Sequence, residues 1–512
     1  MLTIYNSTEE EEPVAFGAIE AEIEKRGFRP RDISIEHRQI YTRDWRGRRN
    51  LSEAFRASPW LSYLTSIHQP QRCSPLAIAG LPDQIWIKST AVRESQMIRS
   101  IALAFATAWM AWIAPFPVIA GDAALQTRQA LESSNLATGE KGMSARLATD
   151  PSDNEARFGL SMIRFAEAIE NFGQRQYRYG LSAPPNTMFP FFRLPVPLNP
   201  SPQEATYEKQ RESLQSLLDD LSKVEATLAP MTASETKIVI DLNGVQFDFR
   251  GDRKADSSET LGSILAAMGS RGAHPAQNES GPFEVKFDNS DALWLRGYCH
   301  LLSASLEFVL AYDWRNTFER TAGLFYPRVT PPPFGANPHF ASRREGFMAD
   351  YGEITDFVVL IHEIRWPLIE PARLQAAHAH LKQAVAMSRA SWKSILAETS
   401  DDREWIPGPQ QKNGVVTSMS VRQATVDGWL HALDDFDAVL DGKRLLPHWR
   451  FSQGFNFKRV FFEPRDFDLV LWAAGYSAVP YLEDGPTLSL SDWDQWNHAF
   501  NGNFLAYAIW FN

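Results

Sequence analysis

Apolar residues recur at intervals of three and four along most of the chain after residue 122, as on one buried face of an α-helix. This spacing predicts helices over residues 124–133, 139–148, 154–174, 205–228, 260–268, 294–313, 351–366, 371–398 and 420–440. Shorter apolar runs predict strands over residues 238–242, 245–249, 283–287, 455–462 and 467–472. The pattern therefore indicates a mainly α-helical protein with a few short β-strands.

The segment 136–168 reads LATGEKGMSARLATDPSDNEARFGLSMIRFAEA, two predicted helices joined by an Asp-Pro turn. It resembles one tetratricopeptide unit, a helix pair that recurs every ~34 residues in proteins of that class. The period does not recur cleanly, because residues 290–313 have similar small and aromatic spacing but lack the strict motif. Two architectures stay open, a helical bundle and a tetratricopeptide-like helical array.

Residues 97–120 have the order of a bacterial secretory signal peptide, although they lie inside the printed sequence. Arg99 precedes an uncharged apolar core at 101–114, and prolines and small residues follow as far as Ala120. The core is shorter than the ~20 residues of a membrane span, which argues against a membrane anchor, and the prolines and small residues after it favour cleavage. A buried helix of a soluble domain is the other alternative. We expect a periplasmic or secreted protein with no stable membrane span after cleavage.

The segment before Met97 opens with an acidic run, becomes rich in arginine and has little periodicity. Because a signal peptide is read at the N-terminus, residues 1–96 are interpreted as an upstream extension from a misassigned start. A cytoplasmic basic arm is the alternative. The remainder is expected to comprise an N-terminal helical region, 121–275, and a C-terminal mainly helical region, 283–512.

Composition narrows the classes of function. The net charge of −11 argues against nucleic-acid binding, which needs a basic surface. The cysteines are Cys73 and Cys299, so cleavage after Ala120 would leave Cys299 without an intramolecular disulfide partner. Hydrophobic residues make up 44% of the chain, enough for a large core that needs no disulfide.

Residues 248–259, DFRGDRKADSSE, have the length of an EF-hand calcium loop and precede a predicted helix. Oxygen-bearing side chains occupy loop positions 1, 5, 9 and 12, and these are Asp248, Asp252, Asp256 and Glu259. Arg250 and Arg253 stand where the motif needs a ligand and a glycine. The loop is interpreted as degenerate: calcium is the candidate cofactor, bound weakly or not at all, and the Arg250 guanidinium substitutes for the ion. An ordinary polar turn is the alternative.

Candidate catalytic residues lie in the C-terminal region. His362 and Glu363 are adjacent, but position 366 is tryptophan, so the H-E-x-x-H zinc motif is not formed. His448 and Arg450 stand between aromatic residues in PHWRF, which is typical of a pocket or a locked core. We expect Arg450 either to line a pocket with Glu363 and His448 or to pair inside the core with Glu363 or Asp466.

Other polar groups give weaker signals. Glu398, Asp401, Asp402 and Glu404 form a carboxylate-rich stretch, which is interpreted as a solvated loop. The alternative is that neighbouring charges raise each other's pKa and support acid–base chemistry. His300 is interpreted as a structural hydrogen-bonding residue of the predicted helix 294–313.

His378 and His380 point to different sides of the predicted helix 371–398. A zinc site would therefore have to combine ligands from separate segments.

Four segments carry a resemblance to known sequences, and they are WLRGYCH at 294–300, EWIPGPQ at 404–410, PHWRF at 447–451 and IWFN at 509–512. With the tetratricopeptide-like helices and the EF-hand-like loop, residues 123–512 resemble an uncharacterised family of exported bacterial proteins. The resemblance implies export. It implies no activity and assigns no catalytic residue.

Two functions are consistent with these observations. The first is an exported protein that binds a protein or peptide partner, favoured by the helix-pair periodicity and the lack of a complete catalytic motif. The second is a periplasmic hydrolase that uses His362 and Glu363, the 398–404 carboxylates, and His448 and Arg450. The hydrolase requires these three groups to meet in one cleft, within about one hydrogen-bond relay of each other.

Overall fold

Helices account for most of the part of the chain that the structure describes, as the apolar spacing predicts. The computed structural model describes residues 122–182, 194–232, 235–254, 259–268, 282–329, 355, 358–412, 414–415, 421–502 and 504–511. The expected signal peptide, the segment before it and Asp256 lie outside these residues. All described residues belong to one compact unit, and none of their helices is long and apolar enough to span a membrane.

Most helices fall within a few residues of the predicted ranges. The first group comprises α1 Asp122–Glu132, α2 Leu136–Thr149, α3 Asn154–Tyr179, α4 Tyr207–Leu228 and α5 Leu261–Met268. The second comprises α6 Asn289–Ala311, α7 Arg315–Thr321, α8 Pro371–Ile395, α9 Gln423–Leu440, α10 Phe457–Phe462, α11 Leu469–Ala473, α12 Leu490–Ala499 and α13 Phe504–Phe511. The mainly helical class is confirmed, and the choice between a bundle and a tetratricopeptide-like array stays a prediction.

Helix α3 shows how the local sequence sets these boundaries. Asp153 precedes it, and its carboxylate accepts a hydrogen bond from the Ala156 amide at 2.9 Å. Gly180 ends it with φ of 72°, a left-handed conformation that glycine adopts without steric cost. Buried side chains such as Phe158 and Ile163 pack α3 against α1, α2 and α4. The first part of the core therefore forms around α3.

Helices α6 and α8 share the most extensive packing of any two described elements. A capping box starts α6, in which the Asp288 carboxylate caps the first turn and the Asp291 carboxylate accepts the Asp288 amide at 2.9 Å. Pro371 starts α8, where a missing N–H removes no helical hydrogen bond. Trp392 of α8 is fully buried, so this pair forms the centre of the core.

The strands are short and pair in twos. β1 Ile238–Asp241 runs antiparallel to β2 Glu284–Phe287. β3 Arg365–Trp366 pairs with β5 Phe467–Asp468, and β4 Gly454–Phe455 pairs with β6 Leu482–Glu483. Ile238 and Ile240 are buried, so one face of the β1–β2 ribbon contacts the helical core.

The strands predicted over 455–462 and 467–472 are wrong over most of their length. Each begins as a two-residue strand and continues as a short helix, α10 or α11. The cause is a polar side chain inside each apolar run. Asn456 and Asp468 each accept a hydrogen bond from the amide three residues later, which satisfies a first-turn donor and starts a helix.

Two further boundaries differ from the prediction. The strand expected over 245–249 is reduced to an isolated bridge at Gln246. The helix expected over 351–366 covers 358–363 in the last part of that range, and the chain then enters β3. Pro367 disfavours a helical backbone at Trp366, because the proline ring would clash with the preceding residue. An extended conformation therefore replaces the last helical turn.

Helix α13 packs aromatic side chains against distant parts of the core. Its carbonyl oxygens at Trp510 and Phe511 accept hydrogen bonds from the indole N–H groups of Trp294 and Trp392, at 2.8 and 3.3 Å. The rings of Trp405 and Trp510 lie 4.3 Å apart between centroids. Residues from α6, α8 and the loop after α8 therefore depend on α13 for part of their packing.

Candidate functional site

The EF-hand-like loop is held together by its own carboxylates. The two Asp248 oxygens accept hydrogen bonds from the amides of Asp252 and Arg253, at 3.0 and 2.8 Å. Arg253 has φ of 59°, the left-handed conformation that the sixth loop position normally reaches with glycine. Glu259 is fully buried, and its oxygens lie 3.2 Å from the Arg250 amide and 4.0 Å from the Arg250 guanidinium. Arg250 thus places a positive charge beside the last carboxylate of the loop.

Calcium binding by this loop stays a prediction, and Asp256 lies outside the described residues. The Asp252 carboxylate is engaged locally, since it accepts the Lys254 amide at 2.9 Å. Within the described ranges, the groups whose ligand atoms lie close enough to share an ion do not include Asp248, Asp252 or Glu259.

His362 and Glu363 lie at the end of the 358–363 helical segment. The Glu363 carboxylate is 3.2 Å from the Arg320 guanidinium of α7, so its charge is balanced there. The Thr317 hydroxyl donates to the Glu363 carbonyl oxygen, which ties this turn to α7. His362 is exposed to solvent. Glu363 therefore connects the 358–363 segment to α7, and the sequence does not predict its partner, Arg320.

The carboxylate-rich stretch 398–404 folds around Lys286 of β2. Lys286 is buried, and its ammonium group donates to the Glu404 carboxylate at 2.9 Å and to the Asp402 carboxylate at 3.0 Å. The Ser400 hydroxyl accepts a third hydrogen bond at 2.7 Å. Burial opposes the charge of Lys286, but the hydrogen bonds to the two carboxylates outweigh it and raise the pKa of the lysine.

Asp288, Glu398 and Glu404 form what we call the acidic cluster, with one ligand-type oxygen from each lying within 4.8 Å of the others. Burial raises the pKa of Glu404 to about 7 although Lys286 favours its charged form. Burial, followed by the negative charge of Asp288, also raises the pKa of Glu398. Burial is therefore the main cause of both raised pKa values, and the burial of Glu404 shows that the solvated-loop interpretation is wrong for this residue.

A partly buried polar network that the sequence does not predict joins α4, α6 and α8. The Nδ1 atoms of His300 and His380 are 2.9 Å apart, so one ring donates a hydrogen bond and the other accepts it. His300 Nε2 lies 3.5 Å from the Glu225 carboxylate, which Arg296 binds through two hydrogen bonds. Burial opposes the charge of Glu225, but hydrogen bonds from His300 and Arg296 lower its pKa to about 2. Burial, and then His300, lower the pKa of His380.

Arg450 lies on the protein surface, so its expected ion pair inside the core is wrong. Its guanidinium carbon is 4.5 Å from the ring centroid of Trp449 and 6.0 Å from that of Tyr476. Trp449 is 73% exposed and Tyr476 is 65% exposed. We call Trp449, Arg450 and Tyr476 the aromatic surface.

Backbone and ring contacts hold the aromatic surface in place. The Trp449 indole N–H donates to the Ala473 carbonyl oxygen at 3.1 Å, and the His448 ring stacks against Trp449 with centroids 5.8 Å apart. Gly475 has φ of 89° and passes so close to His448 that a Cβ there would lie 2.7 Å from the imidazole. His448 therefore supports Trp449 and fixes the nearby loop.

The residues proposed for a hydrolase are engaged at separate places in the fold. Glu363 pairs with Arg320, Glu404 pairs with Lys286, and Arg450 lies on Trp449. Over the described residues, no hydrogen bond or ion pair joins these three groups into one constellation. Comparison of the chain with protein-family models, with curated proteins and with solved structures gives no match.

Proposed function

We propose that the protein binds a protein or peptide partner through the aromatic surface. The observation that carries the proposal is the exposure of two large rings, Trp449 and Tyr476, that both lie near the Arg450 guanidinium. Full burial of a large apolar side chain stabilises a protein or complex by ~1.5–3 kcal/mol, and an exposed ring does not contribute this free energy. Tryptophan, tyrosine and arginine are also the residues that most often dominate binding energy at protein interfaces.

The support beneath the rings favours binding further. The Trp449 indole is anchored by its hydrogen bond to Ala473 and by the stacked His448 ring. A side chain that is already ordered loses little conformational freedom on association, so more of its contact energy appears as affinity. His448 is a positioning residue in this interpretation and does not contact the partner chemically.

Arg450 indicates the chemistry of the partner. Among the described residues it forms no ion pair, and its guanidinium plane is used by the aromatic rings. The N–H groups of a guanidinium lie at its edge and suit a carboxylate bound by two hydrogen bonds. The proposed ligand is therefore a peptide segment in which an aspartate or glutamate lies next to an aromatic or aliphatic side chain.

The hydrolase alternative has less support. Glu404, with a pKa of about 7, is a chemically reasonable proton acceptor near neutral pH. However, Glu404 is 3% exposed and hydrogen-bonded to Lys286, so a substrate has little access to it. A nucleophile or second catalytic group within hydrogen-bonding reach is also needed.

A phage-displayed peptide library selected against the full-length chain tests the binding proposal. Enriched peptides should pair an acidic residue with an apolar one, and Trp449→Ala should weaken them by ~30-fold or more, the loss expected for a ~2 kcal/mol interface residue. Arg450→Met should act mainly on peptides with the carboxylate. Leu490→Ala is the matched control, because Leu490 is 66% exposed and lies outside the aromatic surface. Peptides that bind Trp449→Ala as tightly as the natural protein would refute the proposal.

We also propose that the chain is exported and that its mature form begins at or near Gly121. The support is the order of residues 97–120: a basic residue, an apolar core, and small residues before the cleavage point. Intact-mass measurement on protein recovered from its native host should give a species that starts near residue 121. A species that retains residues 1–96 would contradict this proposal.

A further inference from the structure

We infer that His431, Asp435 and Asp492 form a binding site for one divalent transition-metal ion, for which zinc is the best match. One ligand-type atom of each residue lies within 4.8 Å of those of the other two. The first two residues belong to α9 and the third to α12, two helices that pack against each other. The site therefore combines separate segments, and it is independent of the aromatic surface.

Helix geometry prepares the first two ligands. His431 and Asp435 are four residues apart on α9, so their side chains lie on one face. His431 Nε2 is 3.6 Å from Asp435 Oδ2, which is too long for a hydrogen bond. A tetrahedral zinc ion with bonds of ~2.0–2.2 Å would hold two ligand atoms roughly 3.4 Å apart. These two atoms are already close to that separation.

A buried carboxylate oxygen points into the site. Asp435 is 4% exposed, and one of its oxygens, Oδ1, is bound by the Arg444 guanidinium. The other oxygen, Oδ2, is buried and accepts no hydrogen bond from the described residues. A buried carboxylate oxygen without a donor is energetically unfavourable, and a metal ion beside His431 would satisfy it.

Neighbouring groups orient both carboxylates. Arg444 bridges them, since its second guanidinium nitrogen donates to Asp492 Oδ2 at 2.8 Å. The same Asp492 oxygen accepts the Ser489 amide at 2.7 Å within the capping box that starts α12. Outer hydrogen bonds of this kind commonly fix the orientation of metal-binding carboxylates. Arg444 also offsets one negative charge, so two carboxylates and one guanidinium leave a net charge of −1 for the ion.

The ligand set selects the type of ion. Calcium and magnesium prefer sites made only of oxygen ligands, whereas an imidazole nitrogen with carboxylates suits zinc and its neighbours in the first transition series. The His431 side chain is 43% exposed, so an ion can enter from solvent and water can complete its coordination. We expect one ion per chain with an affinity in the micromolar range or tighter.

Calorimetric titration of zinc chloride into the full-length, chelator-treated chain tests the site, with cobalt(II) absorption as a second measurement. His431→Ala removes a partly exposed ligand, so it should leave the fold intact and weaken binding by roughly 10- to 100-fold or more. His498→Ala is the matched control, since His498 is an exposed histidine on α12. It should bind zinc as the natural protein does. Natural protein without micromolar zinc binding, or His431→Ala with unchanged affinity, would overturn the inference.

Discussion

The buried pair of Lys286 and Glu404 allows a quantitative prediction. Lys286→Met keeps most of the apolar stem of the side chain and removes the charge and three hydrogen bonds. Glu404, 3% exposed, then lies beside Glu398 and Asp288 without a positive neighbour at 2.9 Å. The perturbation thus isolates the electrostatic contribution of the pair, with little change in packing.

Removing one member of a buried ion pair typically costs ~3–5 kcal/mol of unfolding free energy, because the remaining group must either stay charged in the interior or change its protonation state. We expect Lys286→Met to fall in this range at neutral pH. The loss depends on pH in a definite direction. The pKa of Glu404 is about 7 with the lysine present, and it must rise further without it.

The folded state then favours neutral Glu404 over a wider range of pH than the unfolded state does. A carboxyl whose pKa is raised on folding contributes its stability at low pH and loses it as pH rises through the folded pKa. The natural protein completes this loss near pH 7. In Lys286→Met the loss continues above that pH, so the difference between the two proteins should grow by ~1.4 kcal/mol per pH unit.

Urea unfolding of the full-length chain, followed by tryptophan fluorescence from about pH 7 to about pH 9, measures both effects. Lys223→Met is the matched control: Lys223 is 64% exposed and bound to Asp220, so its loss should cost less than ~0.5 kcal/mol. Lys286→Met with Glu404→Gln should recover at least half of the lost stability. The reasoning would be refuted if Lys286→Met lost no more unfolding free energy than Lys223→Met. It would also be refuted if the double variant lost the sum of the losses of its two single variants.

Three further predictions concern the core. Burial raises the pKa of Glu170 from 4.5 to about 7. The contribution of this residue to the free energy of unfolding is therefore present at low pH and is lost as the pH rises from about 4.5 to about 7. Glu170→Gln should flatten the pH profile of the urea unfolding midpoint over that range. Gly173→Ala should cost ~1–3 kcal/mol in urea unfolding, because its Cβ would collide with Phe249. Gly142→Ala should instead stabilise by ~0.5–1 kcal/mol, because its Cβ would make only an ordinary contact, 3.8 Å from Gln126 Oε1. Cys299 is 1% exposed and burial raises its thiol pKa, so peptide mapping should show alkylation of Cys299 only after unfolding.

Helix positions follow from the sequence because they depend on local periodicity and on capping residues. The boundaries of α3 are set by Asp153 and Gly180, both of which a reader of the sequence can recognise. The failures at 455–462 and 467–472 have the same local origin. Asn456 and Asp468 are ordinary N-cap residues, but aromatic and β-branched neighbours favour strand and hide that signal.

The chemistry of the sites could be predicted only in part. The 398–404 carboxylates are adjacent in sequence, so their clustering is readable. Their counter-ion is not, since Lys286 precedes Glu404 by 118 residues and reaches it only through tertiary packing. The pairing of His300 with His380 depends in the same way on α6 packing against α8. Arg450 shows that neighbours in sequence can also mislead. Its aromatic neighbours predict a buried side chain, but Arg450 lies in the solvent beside the exposed rings of Trp449 and Tyr476.

The position of α13 has a consequence for the order in which the molecule can be completed during synthesis. The indole of Trp294 donates to the carbonyl oxygen of Trp510, which is made 216 residues later in the chain. The indole of Trp392 donates to that of Phe511, 119 residues later. A ribosome adding ~5–20 residues per second needs roughly 10–40 s between Trp294 and Trp510. During that interval the two indoles cannot make these hydrogen bonds, and the aromatic residues that pack on α13 lack that contact. Helix α13 therefore joins this part of the core late, and chains that stop before residue 504 should be preferred clients of chaperones and proteases.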